Sequence, residues 1–291
     1  MLNRRTFLKN AAVTAAAAPF ISTEEILNPV PRHIGLQLWS IREDMKKDPK
    51  ATIEAVAKMG YREVEPFGFN EGKLFGLSYD EFSKLLKDNS LTMPSTHSMM
   101  TSKNYDAGKN DIDDDTKKVI DNGAKYGIKY LIVPYMADED RKKMDTMVKL
   151  YSAAGKYAKK AGVRLAYHNH EFEYATKAPD GRRIIEWLLH ETDPTELAMQ
   201  MDIYWVAFAN HNPLDWFKLY PGRWELCHAK DVAKTEKRES VEVGDGSVDF
   251  KGIFQKSAQA GIKHYVVELE NYVTTPLEGV KRARTNLLKM F

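Results

Sequence analysis

Cysteine is almost absent from this sequence of 291 residues: Cys227 stands alone, so no disulfide can form within the chain even in an oxidising compartment. A strong charge of one sign is absent as well, since 43 lysines and arginines face 41 acidic residues. Residues 1–20 supply Arg4, Arg5 and Lys9 and no acid, so the remainder carries 40 basic side chains against 41 acidic ones. A near-neutral protein offers no broad electrostatic surface for nucleic acid, and we therefore expect no nucleic-acid partner.

Long hydrophobic runs are also missing. The uncharged segment 11–18 is too short to cross a bilayer, which takes about 20 residues. It follows Arg4 and Arg5, and the arginine pair with Phe7 and Leu8 resembles a twin-arginine export signal. We expect residues 1–30 to be a signal and linker, the mature protein to be periplasmic or exported, and no stable membrane anchor to remain after cleavage.

Short apolar segments alternate with longer amphipathic ones about eight times from residue 31 onward. Each apolar segment has the length of a strand and is rich in β-branched or aromatic residues. Several of the amphipathic segments begin with Asp, Ser or Asn and close with glycine, as helices do. The predicted strands are residues 33–40, 62–68, 91–98, 129–135, 163–170, 197–205, 223–231 and 264–271.

This alternation predicts an α/β fold, a single (β/α)8 TIM barrel over residues 31–291, because βα connections stay short and right-handed. Hydrophobic residues make up 43% of the chain and charged residues 29%, which is typical of a soluble globular protein. An open doubly wound sheet is the alternative, but no G-x-G-x-x-G motif follows the first strand. The sequence shows no second domain.

Polar residues gather at the carboxyl ends of the predicted strands, where barrel enzymes build their active sites. The residues that we place there are Gln37, Trp39, Glu65, His97, Tyr135, His168, His170, Glu173, Asp202, Trp205, His228, Lys230, Asp231, Glu268 and Glu270. Imidazoles mixed with carboxylates suit Mn²⁺, Mg²⁺, Co²⁺ or Zn²⁺, and so many acids without a cation would repel one another. A single histidine at a strand end is usually structural, and for His97 both roles stay open.

Motifs along the chain resemble those of the xylose isomerase-like TIM barrels, a group that includes inosose dehydratases, ketose 3-epimerases, hydroxypyruvate isomerases and metal-dependent apurinic endonucleases. The resemblance covers residues 34–288. The motifs are GLQLWS, EVE, HNHEFE, MDIYW, HAKD with the later VGDGSVDF, and VVELEN. The HNHxxE form resembles the subgroup of inosose dehydratases and 3-keto-glycoside lyases.

The resemblance implies a metal centre held by Asp202, His228 and Glu268. In the HNHxxE subgroup it implies Glu173 as the fourth ligand, with His168 as the alternative. Glu270 shares a face with Glu268 by the period of two, so either carboxylate could be the ligand from the eighth strand.

A divalent ion beside a sugar carbonyl would make the neighbouring C–H acidic. We predict His170 as the base, with His168 and Lys230 as further catalytic residues. Trp39 and Trp205 offer flat faces to a carbohydrate, although a core position is at least as common for tryptophan.

Contacts to substrate hydroxyls are expected from His97, Asp231 and Glu270. For Glu65 two roles stay open, a contact to the substrate and a support behind the metal ligands. The substrate would be a keto-sugar or keto-glycoside, and the reaction isomerisation, epimerisation or β-elimination.

Two other functions fit the same fold. A barrel that binds a sugar without reacting would not need the ion, and an apurinic endonuclease-like enzyme would need a basic groove for the phosphate backbone.

The segment 232–250 has no periodicity, and we expect it to form a wall or lid in which Gly244 and Gly246 permit turns. Cys227 should face outward into the barrel wall. The sequence determines neither the exact substrate nor whether the protein forms a homo-oligomer.

Overall fold

The computed structural model describes residues 34–70, 72–178 and 180–291. The predicted export signal, residues 1–30, lies outside them. Among the described helices, none combines the length and the apolar character needed to cross a membrane.

Eight parallel strands form the barrel that the sequence predicts. They are β1 (Ile34–Gln37), β2 (Glu63–Glu65), β3 (Ser95–His97), β4 (Tyr130–Val133), β5 (Arg164–His168), β6 (Leu197–Asp202), β7 (Trp224–Ala229) and β8 (His264–Val267). The strand order follows the chain, and β1 pairs with β8. The ring is completed between β2 and β3, where Val64 N donates to Thr92 O and His97 N donates to Pro66 O, both at 2.9 Å.

Helices pack around the outside of the barrel. Their N-termini are capped as the sequence suggests: Asp48 accepts from the backbone N–H groups of Lys50 and Ala51, and Ser78 forms a capping box with Glu81. The α-helices are Arg42–Lys47, Pro49–Lys58, Tyr79–Asp88, Asp114–Lys125, Asp138–Arg141, Met144–Ala161, Phe172–Ala175, Ile184–Glu191, Ile203–Phe208, Pro213–Leu219, Phe250–Gln255, Ser257–Ala260 and Pro276–Leu287, and two 3₁₀ helices span Leu38–Ile41 and Ser102–Asn104.

Alternation along the strands separates two apolar cores. Inside the barrel, Leu226 packs with Tyr130, Ile132, Ala166 and Ala198. Cys227 belongs instead to the larger core between the sheet and the helices, which confirms that its side chain faces outward. The inner cluster fills the barrel below the strand ends, so the polar residues above it form the floor of an open mouth.

Several strands are shorter than predicted, and the reason is local hydrogen bonding. The sixth strand ends at Asp202 because its Oδ1 accepts from Trp205 N at 3.1 Å and caps the helix Ile203–Phe208. The first ends at Gln37, whose Oε1 accepts from Trp39 N at 3.0 Å. Trp39 and Trp205 therefore lie on helical turns that follow their strands rather than on the strands themselves.

Candidate active site and metal centre

Four side chains from successive strands meet at the mouth of the barrel. They are His168 at the end of β5, Asp202 at the end of β6, His228 on β7 and Glu268 directly after β8. Each offers one ligand atom, and these atoms all lie within 4.8 Å of one another. All four side chains are buried. Two imidazoles and two carboxylates at this spacing can hold a divalent metal ion.

The carboxylate of Asp202 supports a metal at this position. Its Oδ2 is buried and has no hydrogen-bond partner among the described residues. His168 Nε2 lies 3.9 Å away and Lys230 Nζ lies 3.7 Å away, and both are too far for hydrogen bonds. Burial raises the pKa of Asp202 to about 7, against the pull of Lys230. A buried carboxylate oxygen without a donor is costly unless a cation binds it.

His228 lies between two carboxylates. Its Nδ1 is 2.8 Å from Glu268 Oε2 and its Nε2 is 2.6 Å from Glu65 Oε1. Burial disfavours the imidazolium, but these carboxylates raise the pKa of His228 to about 10. In return, despite burial, His228 holds the pKa of Glu65 well below its usual value. Glu65 is thus enclosed in the polar network of the barrel interior, which agrees with one of the two roles left open by the sequence, a support behind the ligands.

Gln200 is a residue of the site that sequence reasoning missed. Its side chain is buried on β6, two residues before Asp202, and Nε2 donates to Glu65 Oε2 at 2.8 Å. Its Oε1 therefore accepts, from His168 Nδ1 at 2.9 Å and from His97 Nε2 at 3.0 Å. His168 consequently carries its proton on Nδ1, which leaves the lone pair of Nε2 free for a metal.

Of the two ligands considered for β5, the structure brings His168 into the cluster and holds Glu173 elsewhere. Glu173 Oε1 accepts from the Tyr167 hydroxyl at 2.6 Å, and Oε2 accepts from His170 N at 2.7 Å. Burial raises the pKa of Glu173 to about 8, although both donors oppose the shift. This carboxyl fixes the turn that follows β5. Asn169, also missed, ties this turn to β6, since its Oδ1 accepts from Asp202 N at 3.2 Å.

Lys230 lies beside the cluster and is fully buried. Its Nζ donates to Glu270 Oε1 at 2.7 Å and is 3.7 Å from Glu268 Oε2. The ammonium also lies 5.0 Å from the ring of Trp205. Glu270 is the more exposed of the two carboxylates on this segment and faces the cavity. Lys230 orients carboxylates here and is not among the residues that line the cavity above the cluster.

Asp231 is buried and does not face a substrate. Its two oxygens accept from four backbone N–H groups, those of Val232, Gly244, Gly246 and Val248, at 2.8 to 3.1 Å. Because the loop 232–250 folds back onto this carboxylate, the structure does not bring Asp231 to the cavity where we predicted a contact with substrate. Within that loop, Asp231–Val232 pairs with Ser240–Val241, and the loop contributes no lining residue to the cavity described next.

A cavity of about 780 Å³ opens above the cluster. His168 and Glu268 lie in its wall together with His97 and His170. Trp39, which is 41% exposed, packs edge to face on Phe67 at the rim, with ring centroids 4.9 Å apart. The remaining lining residues are Gln37, Arg42, Gly68, Met99, Pro134, Tyr135, Glu270 and Asn271. Arg42 was missed because it lies beyond the end of the first predicted strand. Asn271 ends the eighth predicted strand but was missed because its amide has no charge and no catalytic signature.

His170 stands on the wall of this cavity among aromatic rings. Its ring centroid is 5.0 Å from that of His168, 5.3 Å from Tyr135 and 5.4 Å from Trp205. Its Nδ1 is buried and has no partner in the described part of the chain. Burial, reinforced by the charge of Lys230, lowers the pKa of His170 to about 3. His170 is thus a neutral imidazole.

Comparison with known proteins decides the family. The sequence model of the xylose isomerase-like TIM barrels matches residues 53–289. The chain belongs to this family. A sugar phosphate isomerase/epimerase from Parabacteroides distasonis shares its fold with a TM-score of 0.74 and 30% identity, over 88% of this chain and 93% of that one. A xylose isomerase-like barrel from Mycobacterium smegmatis, solved in complex with magnesium, is 15% identical with a TM-score of 0.61, over 84% of this chain and 88% of that one.

Inosose dehydratases are similar over part of the chain. The enzyme from Lacticaseibacillus casei is 22% identical over 173 residues, which cover 53% of this chain and 56% of the relative. The chain thus spans about half the length of the curated relatives it matches.

Proposed function

We propose that this xylose isomerase-like barrel is a divalent-metal-dependent enzyme that removes a proton next to the carbonyl of a keto-sugar or keto-glycoside. The observation that carries the proposal is the convergence of His168, Asp202, His228 and Glu268 at the floor of a cavity whose wall holds the neutral His170. The names of the similar proteins, which include an isomerase/epimerase and inosose dehydratases, support this class of reaction.

The donor set fits a divalent metal ion. The two carboxylates supply hard oxygen ligands and the two imidazoles supply nitrogen ligands, a mixture that suits Mn²⁺, Mg²⁺, Co²⁺ or Zn²⁺. His228 would bind the ion only after losing one of the two protons that face Glu268 and Glu65, so metal binding would release a proton from this ring. Gln200 keeps the Nε2 lone pair of His168 available, and Asp202 Oδ2 has no other partner among the described groups. When bound, the ion would polarise a substrate carbonyl and so make the neighbouring C–H bond more acidic.

His170 is the base that we propose for the proton transfer. A base must be unprotonated when the substrate binds, and burial keeps this imidazole neutral. Its position in the cavity wall, with its ring 5.0 Å from that of His168 and 5.3 Å from that of Tyr135, supports this role beside a substrate held over the cluster. The carbon to which the proton returns decides between isomerisation and epimerisation. Loss of a leaving group from the carbon beyond the deprotonated one gives β-elimination instead.

The wall of the cavity suits a carbohydrate. Trp39 and Phe67 offer flat apolar faces to the C–H side of a sugar ring. Arg42, Glu270 and Asn271 bring charged and amide groups to the same cavity, where they can bind hydroxyls. Lys230 donates a hydrogen bond to Glu270 and so fixes the position of its carboxylate.

Proton exchange in heavy water tests the proposal. The metal-loaded protein is incubated with 3-keto-glucosides and with free ketoses, and deuterium uptake and cleavage are followed by mass spectrometry and NMR. We expect exchange with the Mn²⁺-loaded protein, none after chelation, and recovery when Mn²⁺ is restored. His211→Gln is a matched control, because His211 packs on Tyr174 and Trp216 outside the cavity. Exchange that survives chelation would refute the metal mechanism, and binding without exchange would indicate a sugar-binding barrel.

A further inference from the structure

A second cavity of about 350 Å³ lies beside the candidate active site. Met99, which is 42% exposed, belongs to the walls of both cavities. His97 lines the larger cavity, whereas Ser98, the next residue, lines the smaller one. Adjacent residues on extended backbone point to opposite sides, so the two cavities flank the end of β3, one over the barrel and one toward the helix Asp114–Lys125.

The hydroxyl of Ser98 indicates that this smaller cavity binds a polar group. Ser98 is 1% exposed, and its Oγ has no hydrogen-bond partner among the residues that the structure describes. Buried hydroxyls are almost always hydrogen-bonded, so an orphan at a cavity wall indicates a partner outside the protein. Ser98 N donates to Ile132 O at 2.8 Å, which fixes the backbone and hence the direction of this side chain.

The rest of the lining carries no net charge and mixes polar with apolar groups. Amide and hydroxyl groups come from Asn70, Asn104, Thr116 and Asn122, and apolar side chains come from Met99, Met100 and Val119. Lys118 and Asp115 neutralise each other at the edge, with Nζ and Oδ1 2.8 Å apart. Amides and hydroxyls without net charge suit a ligand that is rich in hydroxyls and uncharged, such as a sugar ring.

We infer that this second cavity, with Ser98 as its anchor, is a subsite for the sugar unit attached to the ring that loses its proton. The inference rests on the proposed function and makes it more specific: the substrate is a glycoside with a second hydroxyl-bearing unit rather than a free keto-sugar. A volume of about 350 Å³ lies within the range of small-molecule sites, roughly 300–1,000 Å³, and gives enough room for one pyranose ring. The glycosidic bond would pass over Met99, which both cavities share.

Two substrates of different length test the subsite. One is the methyl 3-keto-glucoside and the other is a disaccharide oxidised at the same carbon, each assayed by deuterium exchange with the Mn²⁺-loaded protein. Ser98→Ala removes the hydroxyl without adding bulk. We expect KM for the disaccharide to rise about fivefold, which corresponds to about 1 kcal/mol at 1.4 kcal/mol per tenfold. The kcat for the disaccharide, and both KM and kcat for the methyl glycoside, should stay within twofold of the parent protein. Ser83→Ala, from a helix that lines neither cavity, should change neither substrate.

Binding without reaction provides the second measurement. Calorimetric titration with the unoxidised disaccharide cellobiose should show affinity that falls about fivefold in Ser98→Ala and stays constant in Ser83→Ala. The subsite would be overturned if Ser98→Ala changed KM equally for the disaccharide and the methyl glycoside. It would also be overturned if Ser98→Ala left both the KM for the disaccharide and the affinity for cellobiose unchanged. If neither keto compound exchanges deuterium, the proposed function fails, and the cellobiose titration then decides the subsite on its own.

Discussion

Replacing Gln200 with leucine tests how the site is held together. Leucine has a similar volume but no polar atom, so the three hydrogen bonds of the amide to Glu65, His97 and His168 are lost. Glu65 keeps its hydrogen bonds to Gln37 and His228. His97 keeps Glu65 as a partner, with 3.1 Å between His97 Nε2 and Glu65 Oε1.

His168 Nδ1 is the group left without its observed partner. An unpaired buried donor costs about 1–3 kcal/mol, and the other lost bonds add about 1 kcal/mol, so we expect a loss of about 3 kcal/mol in the free energy of unfolding.

The metal site should respond more specifically than the fold. Partners of metal-ligating histidines typically contribute 10–100-fold to metal affinity, because they fix the tautomer and the direction of the ring. We expect Gln200→Leu to weaken Mn²⁺ binding by about this factor, measured by calorimetric titration, while urea unfolding reports the stability. Gln255→Leu, at an exposed helix position, should stay within about 0.5 kcal/mol and leave metal binding unchanged.

The tautomer of His168 gives a direct check of this reasoning. Nitrogen-15 NMR of the metal-free protein should show the His168 proton on Nδ1. A proton on Nε2, or Mn²⁺ affinity that is unchanged in a folded Gln200→Leu protein, would refute the role that we assign to Gln200.

Three further predictions follow from the site and the sequence. His170→Gln should abolish proton exchange, measured in heavy water, with Mn²⁺ affinity within about threefold of the parent; retained exchange would contradict its role as base. Burial raises the pKa of Glu173 to about 8 from 4.5, so above pH 4.5 the folded protein keeps a proton that the unfolded chain releases. Urea unfolding should therefore show wild-type stability falling relative to Glu173→Gln between pH 4.5 and 8, by at most about 1.4 kcal/mol per pH unit; parallel profiles would contradict this. Residues 1–30 fused to a folded reporter should direct export, and replacing Arg4 and Arg5 with lysines should stop it; export without the arginines would contradict a twin-arginine signal.

The barrel could be predicted because its signal is repeated. Eight alternations of apolar and amphipathic segments constrain the fold together, even though single boundaries were wrong. The apolar pattern of residues 197–205 continues past the end of β6, and only the hydrogen bond from Trp205 N to Asp202 Oδ1 shows where the helix begins. Such a cap depends on side-chain direction, which hydrophobic periodicity does not contain.

The centre of the site was accessible from the sequence through the ends of the predicted strands, and the resemblance to xylose isomerase-like barrels selected the metal ligands among them. His168, His228 and Asp202 come from strand ends and carry groups with recognisable chemistry. Gln200 has the same parity as Asp202 and could have been found by extending that argument one step down the strand. It was missed because an amide has no charge and no catalytic signature.

Loop carboxylates could not be assigned from the sequence. Glu173 and Asp231 both follow strands in motifs rich in acids, and both were predicted at the site. Their oxygens are satisfied instead by nearby groups, His170 N in one case and four backbone N–H groups of the loop 232–250 in the other. Which backbone donors fold onto a carboxylate depends on loop conformation, for which these residues give no periodic signal.

Anomalous diffraction from crystals soaked in Mn²⁺ tests the central claim most directly. The account predicts one strong peak at the mouth of the barrel, within bonding distance of His168, Asp202, His228 and Glu268, and no Mn²⁺ ligand from Glu173. A peak bound elsewhere, or no peak at this cluster in crystals that hold Mn²⁺ at other sites, would contradict it.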